Sequence, residues 1–230
     1  MVFDSRAPGL VAGHDIVSLG LYRYDRLADA VELVSGNTFG DDKLQREARD
    51  ASVSDDGRLV AFSSGTPASN LVAGATDQRT GAATVFLRNM DTRVTALVAH
   101  ARGSSAAVEA SAPTVSGDGG TVVFEAYDVE VLVDVADGNG LAGDVFAYDT
   151  ASSFVELLSP SATGTSSGNG GSVRAVPSRD GKTVVFLSHA TDLVTGWRDA
   201  NNWPPATAAS DLPPLDYLST DVFVRRRGAA

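Results

Sequence analysis

Cysteine is absent, which excludes disulfides, thiolate metal ligands and cysteine nucleophiles. Lysine is nearly absent as well: the 18 cationic residues are 16 Arg and 2 Lys, set against 29 Asp plus Glu. The resulting net charge of −11 gives an acidic surface that repels phosphate backbones, so nucleic-acid binding is disfavoured. No apolar run reaches about 18 residues, and no membrane span is expected. Met1 to Arg6 show neither the basic start nor the apolar stretch of an export signal. What remains is 230 residues with 43% hydrophobic content, sufficient for a soluble globular unit that buries about 70% of its unfolded surface.

The chain repeats itself. Ser54-Asp55-Asp56-Gly57-Arg58-Leu59-Val60-Ala61-Phe62 returns as Ser116-Gly117-Asp118-Gly119-Gly120-Thr121-Val122-Val123-Phe124, then as Ser178-Arg179-Asp180-Gly181-Lys182-Thr183-Val184-Val185-Phe186, 62 residues apart each time. A Leu-Val pair recurs at Leu10-Val11, Leu71-Val72, Leu132-Val133 and Leu193-Val194. An apolar–aromatic pair recurs at Leu21-Tyr22, Val85-Phe86, Val145-Phe146 and Val222-Phe223. Three unrelated markers fall in one register.

Within a repeat the periods are those of strands bounded by turn residues. In the third repeat Pro113 to Ser116 reads as strand A, Thr121 to Ala126 as strand B, Asp144 to Asp149 as strand C and Phe154 to Ser159 as strand D. The Asp-Gly between A and B supplies the positive φ of a short hairpin loop, and Asp149-Thr150-Ala151-Ser152 closes C to D. The B–C and D–A links are long. Helical periodicity is confined to Leu44 to Ala51, too short and polar to count as an element, so the chain reads as all β.

A four-stranded meander at fixed period is the pattern of a β-propeller blade. Ser-x-Asp-Gly-x-x-x-x-Phe-x-Ser, followed by Asn-Leu-Val-x-Gly and Val-Phe-x-Arg, resembles the bacterial WD40-like Asp-repeat propellers of the TolB-like kind. The resemblance implies an all-β propeller with antiparallel four-stranded blades, a periplasmic or extracellular location, and a binding or scaffold role toward a protein, peptide or glycan. The alternative it carries is the propeller portion of a larger oligopeptidase-like hydrolase, with the catalytic domain outside this chain.

Aligning the copies puts blades at residues 1–36, 51–99, 113–159 and 175–227, the first lacking strand A and the last strand D. This predicts a piece of a longer propeller whose parent has further blades or domains. Strands alternate in direction, so both long links emerge on one face, the candidate binding surface. Asp15, Asp77, Asp137 and Asp199 hold equivalent places in the four B–C links. Such an Asp ordinarily caps a turn, but Asp137-Gly138-Asn139-Gly140 with Asp144 also brings together oxygens suited to calcium, a hard cation that takes oxygen ligands. Trp197 and Trp203, in the enlarged fourth link, are candidate ligand platforms. Asp56, Asp118 and Asp180 recur in every blade, which points to turn chemistry and not to one active site. His14, His100 and His189 have no spacing that selects a catalytic set, and no catalytic residue is assigned.

Overall fold

The computed structural model describes residues 1–12, 19–37, 47–77, 82–196 and 220–228. Their strands form four antiparallel sheets, each a meander in chain order. The first contains β1 (Val2–Ser5), β2 (Gly20–Asp25) and β3 (Ala30–Leu33). The second contains β4 (Ala48–Val53), β5 (Leu59–Ser64), β6 (Thr84–Asn89) and β7 (Thr95–Leu97). The third runs β8 (Ala110–Val115), β9 (Thr121–Ala126), β10 (Asp144–Asp149) and β11 (Val155–Leu157). The fourth has β12 (Ser172–Pro177), β13 (Thr183–Ser188) and β14 (Asp221–Arg226). Strands B, C and D, two full blades, and strands A, B and C therefore follow one another as the repeat implies.

The second and third sheets bury both faces because alternate residues serve different neighbours. Ala61, Val85 and Leu87 of the second sheet point forward and pack with Val122, Phe124 and Phe146 of the third. Val123, Val145 and Ala147 point forward from the third sheet onto Val184 and Phe186 of the fourth. Every blade carries one stacked aromatic pair between its B and C strands: Phe3 with Tyr22, Phe62 with Phe86, Phe124 with Phe146 and Phe186 with Phe223, at centroid distances of 5.7, 5.6, 5.6 and 5.9 Å. Such a pair contributes about 0.5–1.5 kcal/mol beyond area burial. The A strands β4, β8 and β12 lie next to one another along the inner edge. The result is an arc of propeller-type blades.

Strand A begins three residues earlier than the sequence suggests, at Ala48, Ala110 and Ser172 instead of residues 51, 113 and 175. The reason is a β-bulge in each copy. Pairing shifts between Arg49 and Ser52, between Ser111 and Thr114, and between Val173 and Val176. At each shift one residue adopts a left-handed backbone: Asp50, Ala112 and Arg174, with φ of 52°, 50° and 57°. Pro113 sits in the second of these bulges, where its missing N–H breaks no ladder bond. Residues 48–51, part of the segment with weak helical periodicity, are thus strand. Among the described residues two single-turn helices also interrupt the B–C links: α1 (Ala68–Leu71) and α2 (Val129–Val133).

Candidate functional site

The A–B turns show why one motif recurs. Ser54, Ser116 and Ser178 each donate a hydroxyl hydrogen bond at 2.6 Å to Oδ1 of Asp56, Asp118 and Asp180. The same hydroxyls accept the N–H of Leu59, Thr121 and Thr183 at 3.0 Å. The serine hydroxyls, with backbone N–H groups, hold the Asp56 and Asp180 carboxyls below the usual range. The recurring aspartates are turn clamps.

On the opposite face the long links are tied together by their own repeating bonds. Thr76 N–H donates to Ser105 O and Ala107 N–H to Thr76 O, both at 3.0 Å, joining the B–C and D–A links of the second blade. Arg102 N–H then reaches Val131 O in α2 at 2.9 Å, and Ala162 N–H reaches Asp192 O at 2.7 Å one blade on. The Arg102 guanidinium also pairs with Asp134, whose left-handed backbone ends α2. These ties hold the loops on a rigid scaffold, the usual setting for a binding surface.

Between the second and third blades the ties leave a groove of about 400 Å³. Its walls are Ala101, Ala106, Ala107 and Val108 of the D–A link and Tyr127, Val131 and Leu141 of the third B–C link. Glu109 and Asp128 add two exposed carboxylates to the lining. Tyr127, Val131 and Leu141 are 47%, 46% and 89% exposed, which is unusual for three large apolar side chains in one site. The volume falls within the range of about 300–1,000 Å³ typical of ligand pockets.

The sequence singled out other residues on this face. Asp77 accepts hydrogen bonds from Ser69 N–H at 2.8 Å and from the Ser69 hydroxyl at 3.1 Å, beside α1. Asp137 Oδ1 accepts Asn139 N–H and Gly140 N–H, each at 2.9 Å, closing its own loop. Asp15, Asp199, Trp197, Trp203 and His14 lie outside the described residues. The His100 ring packs edge-on to Tyr148 at 6.3 Å, and its Nδ1 is 3.2 Å from Ala101 O.

Asp144 is fully buried at the start of β10. Its Oδ1 accepts the Ser159 hydroxyl at 2.7 Å and its Oδ2 the Asn139 amide N–H at 3.2 Å. Burial pushes the Asp144 carboxyl up to about 6, against the lowering effect of these two donors. Asn139 also donates to Gly170 O at 3.2 Å, while its own buried Oδ1 meets no donor. Among the described residues no group of three His, Asp or Glu side chains is placed to hold a metal ion. A cation at Asp137, Asn139 and Asp144 would need the Asn139 amide to turn its free oxygen toward Asp144.

The groove residues went unmarked in the sequence because they belong to no repeat. Tyr127, Val131 and Leu141 lie in a link that also carries Val129, Leu132, Val133 and Val135, so apolar composition alone does not single them out.

No family model and no curated protein matches the chain. Among solved structures it is similar to a TolB-type protein from Agrobacterium tumefaciens, with 18% identity, 74% of this chain and 46% of that one covered, and a TM-score of 0.44. It is similar to TolB from Acinetobacter baumannii, with 19% identity, 84% and 38% covered, and a TM-score of 0.37. The β-propeller domain of the Trilobed protease from Pyrococcus furiosus gives 12% identity, 63% and 35% covered, and a TM-score of 0.39. The chain thus spans less than half the length of each, and its fold is described by the sheets and their packing above.

Proposed function

We propose that this arc of blades is a non-catalytic binding module whose long-link face takes an extended peptide segment of a partner protein. The observation that carries the reading is the groove between the second and third blades, where apolar walls stand beside the carboxylates of Glu109 and Asp128. An apolar side chain of the peptide would seat against Val108, Val131 and Leu141. A neighbouring Arg or Lys would face the two carboxylates, drawn in by the −11 charge of the whole chain. A glycan fits these walls less well, because Tyr127 is the one aromatic ring lining the groove. A periplasmic or extracellular location, implied by the repeat resemblance, belongs to the same proposal.

The test is fluorescence anisotropy with four labelled decapeptides: basic–apolar, acidic–apolar, basic–polar and neutral. The basic–apolar peptide is expected to bind with Kd of about 1–100 μM, weakening as salt rises. Equal affinity for the acidic–apolar peptide, or no binding to any, removes the proposal.

A second, separable reading is a weak calcium site at Asp137, Asn139 and Asp144. It is favoured by Asn139 Oδ1, the one buried side-chain oxygen without a donor among the described residues. Three side-chain ligands leave the shell to be completed by carbonyls and water, for a Kd of about 0.1–1 mM. At tenfold excess, calcium would then stabilise the fold by about 1.4 kcal/mol. A thermal melt with about 5 mM calcium should rise by a few degrees, and Asp144→Asn should abolish the rise. An unchanged melt leaves the loop held by its hydrogen bonds alone.

A further inference from the structure

One position of the repeat changes character on the face of the A–B and C–D turns. The next-to-last residue of strand C, on the same side of the sheet as the stacked aromatic pair, is Tyr24 in the first sheet and Tyr148 in the third, opposite Val31 and Val155. Each phenol is satisfied within its own turn, Tyr24 by Asp29 at 2.7 Å and Tyr148 by Ser153 at 3.0 Å. In the fourth sheet the place is held by Arg225, which is exposed. In the second it is held by Arg88, opposite Thr95 and beside the fully buried Val60.

Arg88 is half-buried, and no carboxylate pairs with it among the described residues. Its Nη1 donates to the Thr95 hydroxyl at 2.9 Å, while its buried Nε meets no acceptor. Burial and the like charge of Arg93 hold the guanidinium below its ordinary range, which still leaves it protonated. Glu32 of the facing first sheet is already shared, pairing with Arg23 and, at 3.3 Å, with Arg93. A desolvated cation without a partner costs stability, and a neutral tyrosine fills the same place in two other blades. The expense points to a ligand.

We infer that Arg88, with Arg93 and the Thr95 hydroxyl, binds a small oxyanion, the phosphate or carboxylate group of a ligand, at the seam between the first and second blades. The guanidinium fork matches the paired oxygens of either group. Thr95 Oγ1 accepts from Arg88 and so keeps its own proton to donate. Arg93 is largely exposed and held to Glu32 by one contact, so its side chain is free to swing toward the anion. The seam shares no residue with the groove between the second and third blades, and the inference is independent of the peptide reading.

The test is a thermal melt in sodium phosphate and in sodium acetate, each against sodium chloride of equal ionic strength. With a Kd of about 1 mM, about 20 mM of the bound oxyanion should raise Tm by a few degrees. Arg88→Tyr installs the side chain of the first and third blades, and Arg88→Met keeps the packing of the stem without its charge. Both should melt at or above the parent in chloride and lose the oxyanion rise. A larger rise with phosphate identifies a phosphorylated ligand, a larger rise with acetate a carboxylate. No rise over chloride with either salt overturns the inference, as does a rise that both variants keep. Melting of both variants well below the parent in chloride would make Arg88 a structural residue, and overturns it too.

Discussion

Arg179 and Asp55, 124 residues apart, join the A–B turns of the fourth and second blades through a 2.6 Å bond from Nε to Oδ2. The bond passes over Gly117 of the intervening blade, whose missing side chain makes the room: a Cβ there would lie 2.6 Å from Arg179 Cγ. Beneath it the turns are stitched by backbone bonds, Asp55 N–H to Gly117 O at 2.9 Å and Asp118 N–H to Arg179 O at 2.8 Å. The ion pair is exposed, so Arg179→Ala should cost no more than about 1 kcal/mol.

Two glycine substitutions should separate on the same argument. Gly117→Ala meets the flexible Arg179 and Asp55 side chains, which can swing away, and should cost under about 1 kcal/mol. Gly170→Ala puts a Cβ 2.7 Å from His189 C and 2.8 Å from Ala190 N, backbone that cannot yield. It should cost about 1–3 kcal/mol or more. Urea melts giving the opposite order would show that the backbone at His189 and Ala190 yields to a methyl group.

Phe124 is fully buried against the second blade, so Phe124→Ala should cost about 3–5 kcal/mol through lost transfer energy and a cavity. Asp118→Ala removes one turn clamp at the surface and should cost about 1 kcal/mol. The two melts, compared directly, test whether β9 is a core strand.

Asp144 should make stability depend on pH. Its carboxyl titrates near 6 in the fold against 3.8 when unfolded, so the native state holds its proton more tightly. The neutral form is favoured below about pH 4, and stability is lost as pH rises through 6, by about 3 kcal/mol in all. Asp56 and Asp180 run the opposite way, losing stability as pH falls, because hydrogen bonds depress their carboxyls. Comparing the parent with Asp144→Asn cancels those contributions. In calcium-free buffer with chelator, the stability difference should move toward the variant by about 2 kcal/mol between pH 4.5 and pH 7.5. A difference that stays flat would mean that water reaches this carboxylate.

Strands B and C and the A–B turns were legible because their causes are local: the Ser-x-Asp-Gly clamp, the β-branched alternation and one aromatic per strand all recur at fixed spacing. The start of strand A was hidden by a bulge, since Pro113 looks like a strand's beginning and is in fact its kink. Val129-Glu130-Val131-Leu132-Val133 has the composition of a strand, yet forms α2 because Leu132 N–H turns back to Asp128 O and Arg102 N–H takes Val131 O. The aligned aspartates Asp77 and Asp137 share a place in the repeat but not a partner, one meeting Ser69 and the other its own loop. The groove needed links from two neighbouring blades to meet, which no single stretch of sequence displays.

The groove between the second and third blades is tested most directly by selection of a displayed random peptide library on the immobilised parent chain and, in parallel, on Val131→Asp/Leu141→Asp. Both altered side chains are exposed, so the variant should keep the parent's melting behaviour. Peptides enriched on the parent are expected to place an Arg or Lys within two residues of a large apolar side chain, and to be lost from the variant. Enrichment of acidic peptides, or of peptides that bind parent and variant alike, would contradict a peptide site in the groove between the second and third blades.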